Sequence, residues 1–189
     1  MQSRRRFNLI YCDPPWMYKD KANAGRRGAC HKYPVMTLED IKRLDVPSIA
    51  ADDCLLAMWW VPPQPQEALD LVRAWGFTIK TMQGFTWHKL SKTGRTDHFG
   101  MGNYTRANAE CCLFAVRGRP KRVCAGVRSL ITAPIGRHSE KPVEARDRLV
   151  CLLGDVPRVE LFARTTAPGW AVWGNEVEST IEMGVRASE

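Results

Sequence analysis

The chain of 189 residues is long enough for one hydrophobic core, and its 44% apolar and 25% charged residues are typical of a folded single domain. A net charge of +8 favours a polyanionic partner, although such an excess alone often marks only a solvated surface. No apolar stretch approaches the length of a membrane span, so we expect no membrane contact. One domain over residues 1–189 is predicted, with its core at about 7–176.

The cysteines argue against a disulfide framework and against a metal site. There are seven, an odd number, and no pair has the two-residue spacing of a zinc knuckle. Most of them lie in apolar runs, which predicts buried, reduced thiols in a cytoplasmic protein: Cys12, Cys54, Cys111, Cys112 and Cys151.

The first element is a short apolar run, Leu9 to Cys12, followed by Asp13, Pro14, Pro15 and Trp16. It predicts a buried parallel strand, and ligands of open α/β sheets bind beyond the carboxyl ends of such strands. A carboxylate, two rigid prolines with free carbonyls and a flat indole suit a planar guest that carries an amino group, such as a nucleobase. The alternative is a turn that merely ends the strand.

A basic loop and a βαβ unit follow. The loop at 17–36 carries Lys19, Arg26 and Arg27, and connections of this length are usually functional lids or disordered. Thr37 can cap a helix that runs through Leu44. The sequence then predicts a buried strand, a helix that stops at Gly76, and one or two further strands, at Cys54–Val61, Pro65–Trp75, Phe77–Met82 and Gly84–Trp87.

The second half begins with another long basic loop at 88–109, which includes Lys89 and Arg106. A strand over Glu110–Arg117 and a basic segment up to Arg128 come next. Ser139 can cap a helix from about Glu140 to Leu153, with Lys141 in a first turn whose dipole disfavours a cation. Two last strands are predicted over 158–163 and 170–173.

Four short motifs carry a resemblance to a known family. They are Asp13-Pro14-Pro15-Trp16, Ser139-Glu140-Lys141-Pro142, Glu160-Leu161-Phe162-Ala163-Arg164 and Gly174-Asn175-Glu176. In these motifs the sequence resembles the DPPW-type adenine amino-methyltransferases, which include phage and bacterial DNA enzymes and the catalytic subunit of the messenger-RNA adenosine methyltransferase. The resemblance, from about Phe7 to Glu176, implies an α/β fold. This is a Rossmann-like class I methyltransferase sheet, mostly parallel and in permuted order, with the catalytic tetrapeptide before the cofactor strand.

The same resemblance implies S-adenosylmethionine as cofactor and gives roles to single residues. The catalytic set is Asp13, Pro14, Pro15 and Trp16. Lys141 matches a lysine that contacts the cofactor carboxylate, and the full set of cofactor contacts is Cys12, Asp13, Lys141, Glu160, Phe162, Arg164, Asn175 and Glu176. Tyr33 and Glu110 match residues beside the target base, while Lys19, Arg26, Arg27 and Arg106 are candidate contacts to nucleic acid. The chain departs from the family pattern at Glu140 and at Thr165-Thr166-Ala167.

The predicted function is methylation of the 6-amino group of adenine in nucleic acid. Asp13 and the Pro14 carbonyl would accept the two amino hydrogens, with Trp16 and Tyr33 flanking the base. DNA is favoured over RNA by analogy, in a bacterial or phage-infected cell. The alternatives are an RNA adenosine methyltransferase, an inactive nucleic-acid-binding partner subunit, and methylation of a cytosine or small-molecule amine. A homodimer or a partner subunit stays open.

Overall fold

A computed structural model describes residues 6–16, 36–102, 104–137 and 140–187. The strands are β1 (Phe7–Cys12), β2 (Ala50–Trp60), β3 (Thr78–Leu90), β4 (Ala109–Arg117), β5 (Leu130–Pro134), β6 (Arg158–Leu161) and β7 (Ala171–Trp173). The helices are α1 (Leu38–Arg43), α2 (Val46–Ile49), α3 (Pro65–Ala74) and α4 (Val143–Leu153). No helix in these ranges is long and apolar enough to cross a membrane.

The strands form one sheet of seven in the order β5-β3-β4-β2-β1-β6-β7. β1 is an interior strand, next to the middle strand β2, and pairs in parallel with β2 and β6. Among the described strands β4 alone runs the other way, antiparallel to both β2 and β3. The predicted mostly parallel α/β sheet is therefore confirmed, whereas the permuted order stays a prediction. β2 and β3 are parallel, as a βαβ unit requires, but β4 lies between them.

Helices cover both faces of the sheet. Because the side chains of a strand alternate between its two sides, successive residues of β1 pack into two different cores. Ile10 and Cys12 belong to a core shared with helices α1 to α3, where the buried Trp75 donates its indole N–H to the Ile41 carbonyl at 3.2 Å. Leu9 and Tyr11 belong to a second core, which packs against α4. Because both faces of β1 are buried from Leu9 on, this part of the strand, Leu9–Cys12, is a continuous apolar run.

Several element boundaries differ from the sequence predictions. Thr37 caps α1 as predicted, since its hydroxyl accepts the Asp40 N–H. Helix α4, however, begins at Val143, because a residue that precedes proline is driven out of the helical region, so Lys141 lies ahead of the helix. Ser139, its predicted cap, lies outside the described residues. Strand β3 continues to Leu90 and removes Lys89 from the predicted loop.

The prediction of buried thiols is correct for three cysteines and wrong for two. Cys12, Cys54 and Cys112 are fully buried, and burial raises the pKa of each thiol, that of Cys54 to about 12. Cys111 is partly exposed and Cys151 is exposed. Cys151 belongs to α4, whose buried side chains are Ala145, Leu149 and Leu153, so its own side chain lies on the outer part of the helix surface.

Candidate active site

The candidate site lies at the edge of the sheet where the parallel strands end. β1 ends at Cys12, so Asp13 is the first residue beyond this interior strand. The ends of β3, β6 and β7 reach the same edge, and the antiparallel β4 begins there. Residues far apart in sequence therefore meet around Asp13, in the crevice where α/β proteins bind their ligands.

The Asp-Pro-Pro-Trp turn folds back on itself. The backbone N–H of Trp16 donates to the Pro14 carbonyl at 2.8 Å, and that of Met36 donates to the Pro15 carbonyl at 3.4 Å. The Trp16 indole is 5% exposed and donates to the Trp59 carbonyl at 3.1 Å. The predicted free carbonyls and open indole face are thus not observed. Trp16 is a buried anchor because its ring is large and its N–H needs a partner.

Asp13 belongs to a cluster of two acids and two lysines. The Lys141 ammonium lies 2.6 Å from Oδ2 of Asp13 and 3.2 Å from Oε2 of Glu110. Lys89 donates to the other carboxylate oxygen of Glu110. Lys141 also lies over the Trp59 ring, 5.6 Å from its centroid. The chain of contacts is Lys89, Glu110, Lys141 and Asp13, and its formal charges cancel.

Burial and pairing pull the pKa values in this cluster in opposite directions. Burial raises the pKa of Asp13, and the neighbouring Lys141 limits the rise. Burial would also raise the pKa of Glu110, but Lys141 and Lys89 together lower it below its ordinary value. Burial opposes the charge on Lys141, yet Asp13 and Glu110 outweigh it and raise the lysine's pKa. Lys141 is therefore a firmly charged cation beside Asp13 at neutral pH.

Two predicted cofactor contacts have a different environment in the structure. Glu160 is 8% exposed, and its two carboxylate oxygens accept from Arg146 of α4 at 2.6 and 2.9 Å. A buried carboxylate needs such a partner, which explains the ion pair with Arg146, and the ribose contact of Glu160 stays a prediction. The side chain of Cys12 is fully buried in the core, which leaves the backbone of that residue for any cofactor contact.

The other predicted cofactor contacts lie together beyond β6 and β7. Phe162 follows β6 with a left-handed φ of 59°, and its ring meets that of Trp173 edge to face at 5.4 Å between centroids. A Cβ at Gly174 would lie 2.2 Å from the Ala163 carbonyl oxygen, so the two chain segments touch. Arg164 lies 3.6 Å from Glu176, and Asn175 is exposed.

Only two of the six predicted substrate contacts lie among the residues that the structure describes. Glu110 lies in the charged cluster with Asp13. Arg106 is exposed, and its guanidinium lies over the Phe99 ring at 5.1 Å. Tyr33, Lys19, Arg26 and Arg27 lie outside the described residues, so their roles stay predictions.

Sequence reasoning missed Lys89 and Trp59 as parts of this site. Lys89 stands two residues after the buried Trp87, whose strand partner is Glu110. Side chains two residues apart in a strand lie on the same face, so a strand that continued past Trp87 would place Lys89 beside the Trp87 ring. The structure shows this arrangement, with the Lys89 ammonium 5.2 Å from the centroid of that ring. Nothing in the sequence marks Trp59, whose indole N–H donates to the Tyr11 hydroxyl at 2.7 Å.

Comparison with known proteins identifies the family of this chain. The profile of the MT-A70 family matches residues 7–176, which include both Asp13 and Lys141. The chain belongs to the MT-A70 family. The resemblance stated from the motifs is thereby confirmed.

Three relatives indicate the range of this MT-A70 chain's similarities. It is 35% identical to the Type II methyltransferase M.MunI of a Mycoplasma species, over 95% of this chain and 82% of the relative. It is 31% identical to the N6-methyladenosine RNA methyltransferase MTA1 of Pyricularia oryzae, over 94% of this chain and 48% of the relative. It is 27% identical to the mouse N(6)-adenine-specific methyltransferase METTL4, over 90% of this chain and 37% of the relative.

Proposed function

We propose that this protein transfers a methyl group from S-adenosylmethionine to the 6-amino group of adenine in DNA. The observation that carries the proposal is the position of Asp13, at the end of the interior strand β1 and 2.6 Å from the largely buried ammonium of Lys141. Membership of the MT-A70 family supports it, as do relatives named for N6-adenine methylation. DNA is favoured because the 35% identical relative is a type II methyltransferase matched over 82% of its length.

The residues at the sheet edge fit the chemistry of this cofactor. Lys141 is a charged partner for its carboxylate, and Asp13 for its ammonium. Beyond β6 and β7, Phe162 provides an apolar surface and Asn175 an exposed amide for the adenosine portion. When bound, S-adenosylmethionine supplies an electrophilic methyl group on a positively charged sulfur.

The protein's own task is to aim a poor nucleophile. The lone pair of an aromatic amine is delocalised into the ring, so the acceptors must hold the amino hydrogens and localise that pair. Asp13 has acceptor capacity beyond the oxygen that faces Lys141, and the Pro14 carbonyl has a lone pair besides the one that Trp16 uses. Positioning of this kind is worth about 7–11 kcal/mol in good intramolecular systems.

Asp13 also stabilises the positive charge that develops on the amine during methylation. Lys141 and Glu110 keep the carboxylate in one orientation, and the Trp16 anchor fixes the turn that presents the Pro14 carbonyl. The target amine is inaccessible inside a duplex, so the base is flipped out or supplied single-stranded.

The rival function is that of an inactive nucleic-acid-binding subunit with the same fold. Such a subunit would need no cationic side chain at the catalytic acid. In this chain Lys141 is paired with Asp13, and only 13% of the Lys141 side chain is exposed. Catalysis explains this buried contact more directly than binding alone does.

The test is transfer of a radiolabelled methyl group to unmethylated DNA and, separately, RNA. We expect incorporation into DNA, and a loss of about 10²- to 10³-fold for Asp13→Asn. Asp70→Asn, which changes a surface acid on α3, is the matched control and should keep full activity. No transfer to either polymer despite binding to both would favour the inactive subunit. Full activity of Asp13→Asn would refute the role of the carboxylate.

A further inference from the structure

A protruding hairpin lies directly beside the charged cluster. The hairpin consists of residues 99–102 and 104–107, which leave the sheet between His98 and Asn108. Both of these flanking residues hydrogen-bond to the backbone of Lys89, at 2.9 and 2.8 Å. Lys89 is the residue whose side chain holds Glu110 in the cluster. The base of the hairpin is therefore fixed to the site itself.

The two arms of this hairpin are packed backbone to backbone. A Cβ on Gly100 would lie 2.0 Å from the Ala107 carbonyl oxygen, and one on Gly102 would lie 2.1 Å from the Thr105 carbonyl oxygen. Only glycine allows so close an approach, so the hairpin is a built feature whose side chains project outward.

Those outward side chains are aromatic and basic. Of the described residues, the exposed large aromatic ones are Phe99 and Tyr104, at 75% and 102% exposure, and both belong to the hairpin. Arg106 covers one face of Phe99, with its guanidinium 5.1 Å from the ring centroid. Single exposed rings are common, but two exposed rings and an exposed guanidinium grouped on one short segment form a patch of the kind that binds a partner.

The charge around the hairpin indicates which partner this is. Lys92 and Arg95 are exposed in the turn that precedes it, whereas the nearby Asp97 is paired with His88 at 2.8 Å. Across a two-fold interface a second copy of the chain would oppose the same basic groups to each other. A nucleic-acid strand instead brings phosphates to the cations and flat bases to the rings.

We propose that Phe99, Tyr104 and Arg106 of this hairpin form a stacking platform for unpaired bases next to the target adenine. Phe99 and Tyr104 stack on bases of a single-stranded DNA segment, and Arg106 contacts the phosphate backbone. This inference rests on the proposed function and extends it, because it names the form of DNA that the site receives.

The test is binding of a dye-labelled single-stranded DNA oligonucleotide, measured by fluorescence anisotropy over a range of salt concentrations and without cofactor. Phe99→Leu and Tyr104→Leu keep apolar bulk but remove the aromatic face. Each should weaken binding by about 5- to 150-fold without changing the salt dependence. Arg106→Gln should instead lower the slope of log K against log salt by about 0.7. Val185→Ala, an exposed apolar change outside the hairpin, should bind like the original protein.

Several outcomes would overturn the platform. Affinities of the two leucine variants within twofold of the original would refute it, as would an equal loss on a blunt duplex, which offers no unpaired base. Variants that dissociate a dimer in sedimentation velocity while leaving DNA affinity unchanged would show a protein interface instead. A single-stranded RNA arm distinguishes the polymers, since tighter RNA binding with the same losses would overturn the choice of DNA.

The platform and the proposed function fail separately when this binding assay is combined with the methyl-transfer assay described above. If the protein binds DNA through the two rings but methylates nothing, the proposed function is refuted and the platform stands. If the leucine variants bind and methylate as well as the original protein, only the platform is refuted.

Discussion

Replacing Glu110 with glutamine would remove the carboxylate that lies between two buried lysines. Lys89 and Lys141 have 16% and 13% of their side chains exposed, and Glu110 contacts both. Removing one partner of a buried ion pair costs about 3–5 kcal/mol. Because 30% of the Glu110 side chain is exposed, and because glutamine still offers a carbonyl, we expect a smaller loss of about 1–3 kcal/mol in the free energy of unfolding.

The pH dependence of this loss has a definite sign. The folded protein lowers the pKa of Glu110, so the carboxylate stabilises the fold at any pH above its unfolded pKa near 4.5. That contribution disappears as the pH falls through the lower, folded pKa. Asp13 titrates in both proteins, so the difference between the original protein and Glu110→Gln reports mainly on Glu110. The difference should be full at pH 7 and should shrink below about pH 4.5.

Urea unfolding followed by tryptophan fluorescence at several pH values measures this difference. The matched control is Glu39→Gln, which breaks an exposed pair with Lys42 and should cost less than about 0.5 kcal/mol. Equal losses for the two variants at pH 7 would refute the claim that the cluster stabilises the fold. A difference that stays constant down to pH 3 would refute the assignment of the effect to an ionised Glu110.

Two further substitutions test other parts of the sheet edge. Gly174→Ala would force a Cβ to 2.2 Å from the Ala163 carbonyl oxygen and should lower the free energy of unfolding by about 1–3 kcal/mol, measured by thermal unfolding. The control is Gly126→Ala, whose Cβ would have nothing within 4 Å and which should be nearly neutral. Equal melting temperatures for the two variants would contradict the close approach. Arg146→Met would leave the buried Glu160 without its partner and should lower the free energy of unfolding by about 3–5 kcal/mol, measured with urea. Adding Glu160→Gln should recover part of this loss, and no recovery would argue against a simple ion pair.

The sequence predicted six of the seven described strands, all but β5, because their signal is local. Apolar runs mark β1, β2 and β4, and each run ends at a proline or a charged residue. The position of Asp13 follows from the same signal, since the carboxyl end of a central parallel strand is a known place for chemistry. Family membership was also predictable, because four short motifs occur in the right order along the chain.

The contacts of the site were less predictable because they join residues distant in sequence. Lys141 was expected to contact the cofactor carboxylate, but its contact with Asp13, which lies 128 positions away, was not predicted. Glu160 was expected to face a ribose, but a helix packed on the sheet brings Arg146 to it. The burial of Trp16 depends likewise on the Trp59 carbonyl of a neighbouring strand. No local pattern encodes these pairings.

The most direct test of the central claim is to identify the methylated base. DNA whose adenine amino groups carry ¹⁵N would be incubated with the protein and S-adenosylmethionine, digested to nucleosides and analysed by mass spectrometry. The account predicts deoxyadenosine with the methyl group on the labelled nitrogen, formed about 10²- to 10³-fold more slowly with Asp13→Asn. A methyl group on a ring nitrogen or on cytosine, or an unchanged yield from Asp13→Asn, would contradict it.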